Sequence, residues 1–281
     1  GKGPIDIFDF KQMKKMMEGV YNKGGINTLS WHTNNPLTGK SAWDNTKGGV
    51  KAVLSGGEKH QMFLVWLETI GNYLISVKGK DKKQVPLLFR PYHELTGNWF
   101  WWGKGNCTPE EFKKLWIMTY DYLTKKKKIN NLIWVYNTSD FNSKEEFMEF
   151  YPGDEYVDMI SFDIYELDNP VHNNSYVERA QKQFKIMDEI AKEHHKIPAL
   201  AETGYEQVPY NKFWTKTLIE AIGSYKITYV LAWRNHGLTE ENKMHYYVPY
   251  KGHPNVQDFK DFYDLESTLF LKDIQKQKIY K

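Results

Sequence analysis

Six short runs of apolar and β-branched residues alternate with longer stretches of helical spacing along this chain. Most of the six are continuously apolar, which is typical of parallel strands covered on both faces. Parallel strands need long, usually helical crossovers between them, so the alternation predicts an α/β fold. We predict the strands at Ile26–Ser30, Val85–Arg90, Leu132–Tyr136, Val157–Tyr165, Ile197–Glu202 and Ile227–Trp233.

The stretches between these strands carry signals for helices. Apolar residues in Phe63–Val77 recur at i, i+3, i+4 and i+7, which predicts an amphipathic helix. Three hydroxyl residues stand three positions before a glutamate, the spacing of a capping box at a helix start. They are Thr108, Ser143 and Ser175. A further helix is predicted over Asn211–Gly223, where the glycine marks its end.

Polar and aromatic side chains stand at or just after the carboxyl end of every predicted strand. They are Trp31, His32, Arg90, His93, Glu94, Asn137, Asp163, Tyr165, Glu202, Trp233 and Arg234. Core packing alone does not explain such residues at all six ends. In a parallel α/β barrel these ends converge on one face, where catalytic residues lie. We therefore expect one shared functional site.

Several familiar catalytic motifs are missing from the sequence. It has no G-x-S-x-G nucleophile elbow, and Gly97 breaks the H-E-x-x-H zinc motif that His93 and Glu94 would begin. The single cysteine, Cys107, allows no disulfide within the chain and no cysteine-based zinc site. The net charge of +3 gives no indication of a nucleic-acid partner. No apolar run is long enough to predict a transmembrane segment, and we expect no cofactor and no metal.

Two carboxylates remain, Glu94 and Glu202, at the ends of different predicted strands. Glycoside hydrolysis needs such a pair, in which one group is an acid with a raised pKa and the other stays ionised. Arg90 could keep one carboxylate charged, and the aromatic loop Trp99–Trp102 could desolvate the other. The aromatic content of 16% suits sugar recognition, because flat rings stack on sugar rings. The alternative is that Glu94 is an ordinary loop residue and Glu202 a buried acid that caps a turn.

Longer motifs around these glutamates resemble those of glycoside hydrolase family 26, which includes many endo-β-1,4-mannanases. Leu88–Gly103, which reads LFRPYHELTGNWFWWG, is similar to the family's acid/base motif, and Pro198–Gly204 is similar to its nucleophile segment. Ser30–Pro36 and Phe162–Tyr165 add supporting matches in the family's order. The resemblance implies a (β/α)8 barrel and a double-displacement mechanism that retains the anomeric configuration.

The resemblance also implies roles for individual residues. Glu94 would be the general acid/base and Glu202 the nucleophile, with carboxyl groups about 5–5.5 Å apart, the range for retention. Trp99 would stack on the leaving-group sugar, and Trp233 would lie beneath the distorted sugar. The implied substrate-binding residues are His32, Arg90, His93, Trp99, Asp163, Tyr165, Trp233 and Arg234.

The implied substrate is mannan, glucomannan or galactomannan, cut at internal β-1,4 linkages. Mixed-linkage β-1,3-1,4-glucan and β-1,3-xylan are open alternatives within the family. A protein that binds polysaccharide without cleaving it is a further alternative, although both glutamates are present. We expect a monomer that is secreted, periplasmic or at the cell surface and forms one catalytic domain over residues 1–281.

In the family, the acid and the nucleophile follow barrel strands four and seven. Here Glu94 and Glu202 follow the second and fifth predicted strands, an offset of two in both cases. We therefore expect the chain to hold strands three to eight, without the first two β/α units of the barrel. Ile5–Asn22 would then be a loop and the second helix. Otherwise Gly1–Asn22 would have to supply two strands, but its pattern holds one helix at most.

Overall fold

A computed structural model describes residues 9–280 of the chain. Its main sheet has six strands in chain order, and each strand pairs in parallel with the next. The strands are β1 Asn27–Trp31, β2 Leu87–Pro91, β3 Leu132–Thr138, β4 Met159–Glu166, β5 Ile197–Tyr205 and β6 Val230–Ala232. All six predicted strands are confirmed, and so is the parallel α/β class.

Helices follow the strands and cover the outside of the sheet. They are α1 Phe10–Asn22, α2 Gly49–Val53, α3 His60–Ser76, α4 Pro109–Asp121, α5 Lys144–Met148, α6 Ser175–Glu193, α7 Ile219–Ile222, α8 Val256–Tyr263 and α9 Leu271–Gln277. Short helical turns of other types occur at Tyr122–Lys126, Asp154–Tyr156 and Phe213–Leu218. A small antiparallel pair, β7 Gly237–Leu238 with β8 Met244–His245, follows β6. Over residues 9–280, no helix has the length and apolar character needed to cross a membrane.

Two of the three predicted capping boxes lie at helix starts. Thr108 begins α4 with the complete box, because its hydroxyl accepts from the Glu111 N–H at 3.2 Å and its own N–H donates to the Glu111 carboxylate at 3.0 Å. Ser143 likewise caps α5 through its hydroxyl. The third helix, α6, begins at Ser175 as predicted, but its N-cap is Asn174, so the predicted capping box of Ser175 with Glu178 is wrong. The N–H of Ser175 donates to the Asn173 side chain at 2.9 Å, so a turn before the helix fixes the start.

The helix predicted over Asn211–Gly223 is only partly confirmed. It begins as a π-helical turn, Phe213–Leu218, and continues as the short helix α7. Asp258 of α8 accepts the backbone N–H of Trp214 at 2.8 Å, which satisfies a donor at the start of this turn. A distant carboxylate therefore takes part in forming this helix end, and the local sequence pattern does not reveal it.

The sheet is curled like the wall of a barrel. Neighbouring strands lie about 4.8 Å apart, so β2 and β5 would be roughly 14 Å apart in a flat sheet. Arg90 of β2 nevertheless contacts Glu202 of β5 directly across the interior. A small inner layer of Leu88, Val135, Met159 and Ala199 packs inside the curl, while the main core lies between the sheet and the helices.

Within residues 9–280, β1 and β6 are the two edges of the main sheet. The count of six strands agrees with six successive units of a (β/α)8 barrel. Helix α1 confirms the predicted helix within Ile5–Asn22, and residues 1–8 lie outside the described part of the chain. The expectation that two further units belong to the barrel stays a prediction.

Candidate active site

Glu202 is buried on β5, and both of its carboxylate oxygens are held. Arg90 donates to Oε1, and the Tyr165 hydroxyl donates to Oε2 at 2.7 Å. Burial acts to lower the pKa of Arg90, but the charges of Asp163 and Glu202 outweigh it and raise that pKa. Arg90 therefore remains a cation, and Glu202 is one of the carboxylates that it holds.

A β-bulge directs Glu202 towards the interior. Phe162 of β4 pairs with Leu200, but the next β4 residue, Asp163, pairs with Glu202, so Ala201 is the extra residue. Side chains alternate between the two faces of a strand, and without the bulge Glu202 would share the outward face of Leu200. The bulge thus places Glu202 on the same face as Asp163.

Asp163 completes a charged cluster around Arg90. Its Oδ2 accepts from Arg90 Nη1 at 2.7 Å, and its Oδ1 accepts from Asn137 Nδ2 at 2.8 Å. Burial raises the pKa of the Asp163 carboxyl, and Arg90 opposes that rise. Asp163 therefore fixes the Arg90 guanidinium, and Arg90 in turn orients the Glu202 carboxylate.

Glu94 lies just after β2 in a strained backbone conformation. Its φ of 52° is in the left-handed region, which for a residue other than glycine costs roughly 1–3 kcal/mol. Trp99 Nε1 donates to the carboxylate Oε2 at 2.7 Å. Burial raises the pKa of Glu94 to about 7, and the negative charge of Glu202 adds to this effect. The environment thus favours a protonated Glu94 near neutral pH.

The two glutamates lie close to each other. One carboxylate oxygen from each of Glu94, Asp163 and Glu202 lies within 4.8 Å of the other two. This closest approach of the carboxylate oxygens agrees with the close pair of a retaining glycosidase, whose carboxyl groups are about 5–5.5 Å apart. Three such oxygens could also hold a cation, but Arg90 already donates to two of the carboxylates. The absence of a bound metal stays a prediction.

Two histidines stand beside the cluster. The rings of His32 and His93 meet edge to face with centroids 4.3 Å apart. Burial lowers the pKa of His32 to about 4 and that of His93 well below its usual value, and the charge of Arg90 adds to both shifts. Both imidazoles are therefore neutral at physiological pH and can act only as neutral hydrogen-bonding groups.

The aromatic loop after Glu94 presents one tryptophan to the acid. Trp101 and Trp102 are buried, and their indole N–H groups donate to the carbonyls of Thr33 and His93. Trp99 instead bonds Glu94 and packs over Gly97, where an added Cβ would lie 2.2 Å from the indole ring. Gly97 is therefore needed for Trp99 to reach the carboxylate.

Trp233 and Arg234 stand at the end of β6, as predicted. The Trp233 N–H donates to the carbonyl of Thr203 at 2.9 Å, which fixes its backbone next to Glu202. The exposed Arg234 guanidinium lies over the Trp233 ring at 5.8 Å. Their predicted contacts with sugar hydroxyls stay predictions.

An open cleft of about 510 Å³ adjoins this cluster. Four predicted residues line it, namely Glu94, Trp99, Asp163 and Tyr165. It is also lined by residues that the sequence pattern does not single out, which are Asp140, Arg179, Glu206 and Tyr247. Tyr247 comes from the segment after β8 and lies against Gly204, where an added Cβ would be 2.5 Å from its ring.

Paired carboxylates at the carboxyl ends of parallel strands, one with a raised pKa and one held by a cation, define a site of the glycoside hydrolase type. The chain belongs to glycosyl hydrolase family 26, whose family model matches residues 9–241. The resemblance seen in the motifs is thereby confirmed.

Several relatives and solved structures are similar to this chain. A protein of Bifidobacterium adolescentis named mannan endo-1,4-β-mannosidase is 30% identical over 285 residues, which cover 96% of this chain and 28% of that protein. A Thermothelomyces thermophilus protein of the same name is 36% identical, over 55% of this chain and 32% of that protein. The chain thus spans about a third or less of these relatives' length.

The solved structure of a family 26 β-mannanase from Bacteroides ovatus has a TM-score of 0.91 and 37% identity, covering 100% of this chain and 81% of that one. A second family 26 structure, from a Muricauda species, has a TM-score of 0.87 and 30% identity, covering 95% and 74%. These similarities agree with the fold of the six-stranded sheet.

Proposed function

We propose that this chain hydrolyses internal β-1,4-mannosidic linkages in mannan, glucomannan or galactomannan, with retention of anomeric configuration. The observation that carries the proposal is the close pair Glu94 and Glu202 in opposite environments. Burial favours the protonated form of Glu94, while Arg90 and Tyr165 hold the oxygens of Glu202. The names of the similar proteins support mannan as the substrate.

In the first step, the Glu202 carboxylate attacks the anomeric carbon and forms a covalent glycosyl-enzyme. Glu94 donates its proton to the glycosidic oxygen as the bond to the leaving sugar breaks. The cleft is lined by Glu94 and Trp99, so it would hold the leaving-group side of the substrate. Tyr165 and Arg90 keep Glu202 aligned for the attack.

In the second step, the ionised Glu94 removes a proton from water, and the water oxygen attacks the same anomeric carbon. The bond to Glu202 breaks, and Glu202 leaves as a carboxylate. The proton taken from water returns Glu94 to its acid form. Two inversions at one carbon give net retention.

A β-glucan is the second candidate substrate. One similar protein, from Acetivibrio thermocellus, is named endoglucanase H and is 24% identical over 56% of this chain. Mannose and glucose differ in the orientation of one hydroxyl, so a few contacts in the reacting subsite decide between them. The higher identities of the relatives named mannosidases favour mannan.

The test is product analysis on mannan, glucomannan, lichenan and β-1,3-xylan. We expect short manno-oligosaccharides from mannan and glucomannan, released first as the β-anomer when followed by NMR. Hydrolysis of lichenan or xylan alone would replace the mannanase proposal, and an α-anomer as first product would contradict retention. Binding of mannan without any product would favour the non-catalytic alternative.

We also propose that the protein acts as a secreted, periplasmic or cell-surface monomer. Mannan is a large polymer that the cell meets from outside, so the enzyme that first cuts it works there. Fractionation of the source cells and the mass in solution would test these two points.

The dependence of activity on pH follows from Glu94. Its pKa of about 7 means that the acid is protonated below that pH and loses its proton above it. We expect kcat/KM on manno-oligosaccharides to fall as pH rises through about 7, because kcat/KM reports the free enzyme. A basic limb near the ordinary glutamate pKa of about 4.3 would show that burial does not act as inferred.

Two substitutions of Trp99 separate its hydrogen bond from its stacking. Trp99→Phe removes the N–H that donates to Glu94 and holds its pKa down, so the basic limb should move to higher pH. Trp99→Ala also removes the ring, and we expect kcat/KM on oligosaccharides to fall by roughly 5- to 150-fold, by analogy with stacking worth about 1–3 kcal/mol. An equal loss on short aryl glycosides would place Trp99 outside the leaving-group subsite.

A further inference from the structure

Asn137 is a fully buried residue of β3 whose side chain makes four hydrogen bonds. Its Oδ1 accepts from the Glu94 backbone N–H at 2.8 Å and from Arg90 Nη1 at 3.0 Å. Its Nδ2 donates to Asp163 Oδ1 at 2.8 Å and to Ser161 Oγ at 3.0 Å. A carboxamide has two acceptor positions and two donor protons, so every one of them is used.

Asn137 holds the segment that carries the acid at two points, one through its side chain and one through its backbone. The Glu94 N–H reaches the Asn137 side chain, and the next N–H, that of Leu95, reaches the Asn137 carbonyl at 3.4 Å. Both Tyr92 and Glu94 have φ of 52°, so this turn is strained on both sides of His93. A strained turn persists only when surrounding contacts stabilise it. The two hydrogen bonds to Asn137, which lies in the regular strand β3, are such contacts.

The other contacts reach the nucleophile through charged neighbours. Arg90 and Asp163 bond to each other, and Arg90 bonds Glu202. The direction of the Asn137 amide is fixed, because Ser161 Oγ gives its proton to the Tyr136 carbonyl at 3.1 Å and can only accept from Asn137. The Asn137 side chain thus links the backbone of Glu94 to the Arg90–Asp163 pair that holds Glu202.

We infer that Asn137 is a positioning residue that holds the general acid at its working distance from the nucleophile. The inference rests on the proposed function, since it assigns Asn137 to the reaction of Glu94 and Glu202. The acceptor oxygen towards Glu94 is the essential part, and the donors towards Asp163 and Ser161 keep that oxygen pointing correctly. Asn137 itself does not touch substrate and acts through Glu94.

The test compares two substrates that differ in their need for acid. From a dinitrophenyl β-mannobioside, the dinitrophenolate leaves without being protonated. A manno-oligosaccharide needs the proton of Glu94 on its leaving oxygen. Asn137→Ala should lower kcat/KM by about 10²-fold on the oligosaccharide, in the range of general acid catalysis, and by less than about tenfold on the aryl substrate. Its basic limb should also move to lower pH, because a released Glu94 is less buried.

Two further variants guard against a general loss of structure. Thr138→Val changes the next residue of β3, which is buried and whose hydroxyl has no hydrogen-bond partner within residues 9–280. It should behave like the parent protein on both substrates. Asn137→Asp loses the donor to Asp163, but both oxygens of the new carboxylate accept, so one still faces the Glu94 N–H in either orientation. It should therefore lower both activities together and keep the ratio of the two activities. This variant also carries the test if Asn137→Ala does not fold, as judged by thermal unfolding.

The results on the two substrates distinguish a failure of the proposed function from a failure of the positioning role of Asn137. A parent protein inactive on both substrates would reject the proposed function. An active parent with equal losses on the two substrates in Asn137→Ala would reject the positioning role. Asn137→Asp still has an acceptor oxygen. If it lowers activity on the oligosaccharide relative to the aryl substrate as much as Glu94→Ala does, the positioning role is also rejected.

Discussion

Glu202→Ala is expected to lower the turnover of every glycoside substrate by at least about 10⁴-fold, the size of loss seen when a catalytic nucleophile is removed. Without a covalent intermediate, a good leaving group gives no relief. Initial rates on mannan and on an aryl β-mannobioside would measure the effect.

Glu220→Ala is the matched control, since Glu220 is an exposed glutamate on α7. It should retain the activity of the parent protein on both substrates. Substantial turnover of the aryl substrate by Glu202→Ala, with an unchanged thermal unfolding curve, would mean that another group is the nucleophile. A loss confined to mannan would point in the same direction.

The sequence predicts most of the fold because parallel strands covered on both faces are continuously apolar. The six runs therefore stand out, and only their ends shift, as at β5, which extends to Tyr205. Helix starts are predicted correctly where a side chain caps its own helix, as Thr108 does. The contacts at a helix start are not predicted where a preceding turn or a distant residue supplies them, as at Ser175 and Trp214.

The site is predicted in part for a similar reason. Strand ends converge in any parallel barrel, so Glu94, Arg90 and Glu202 can be placed together from their positions alone. The bulge that turns Glu202 inward depends on the pairing of β4 with β5, and no local pattern shows it. Tyr247 enters the cleft from a segment without periodicity, and its place depends on the close approach to Gly204.

The protonation states of the two glutamates are harder to predict from the sequence than their positions. Glu94 and Glu202 are chemically identical, and only the structure shows which of them has the raised pKa. Burial and the nearby Glu202 raise the pKa of Glu94, whereas Glu202 has Arg90 on one oxygen and Tyr165 on the other. The motifs gave the same assignment by resemblance, and the contacts supply its physical cause.

Glu94→Ala should separate the two steps of the reaction. On manno-oligosaccharides, kcat/KM should fall by about 10²–10⁴-fold, because the leaving oxygen departs without a proton. On a dinitrophenyl β-mannobioside the first step needs little protonation, so the glycosyl-enzyme should form at close to the normal rate. The second step should then be slow, because no base activates water, and a burst of dinitrophenol should precede a slow steady state.

Added azide provides the decisive measurement on this variant. Azide is a nucleophile that needs no base, and removal of the Glu94 side chain leaves space and removes a negative charge that would repel an anion. We expect azide to raise the steady-state rate on the aryl substrate and to yield a β-glycosyl azide, the product of two inversions. The effect should be absent in the parent protein, where Glu94 already activates water. If Glu94→Ala and Glu202→Ala are equally inactive on the aryl substrate and azide restores neither, the division of roles between the two glutamates is wrong. An α-glycosyl azide from Glu94→Ala would likewise mean that azide attacks the substrate directly and that no covalent intermediate forms.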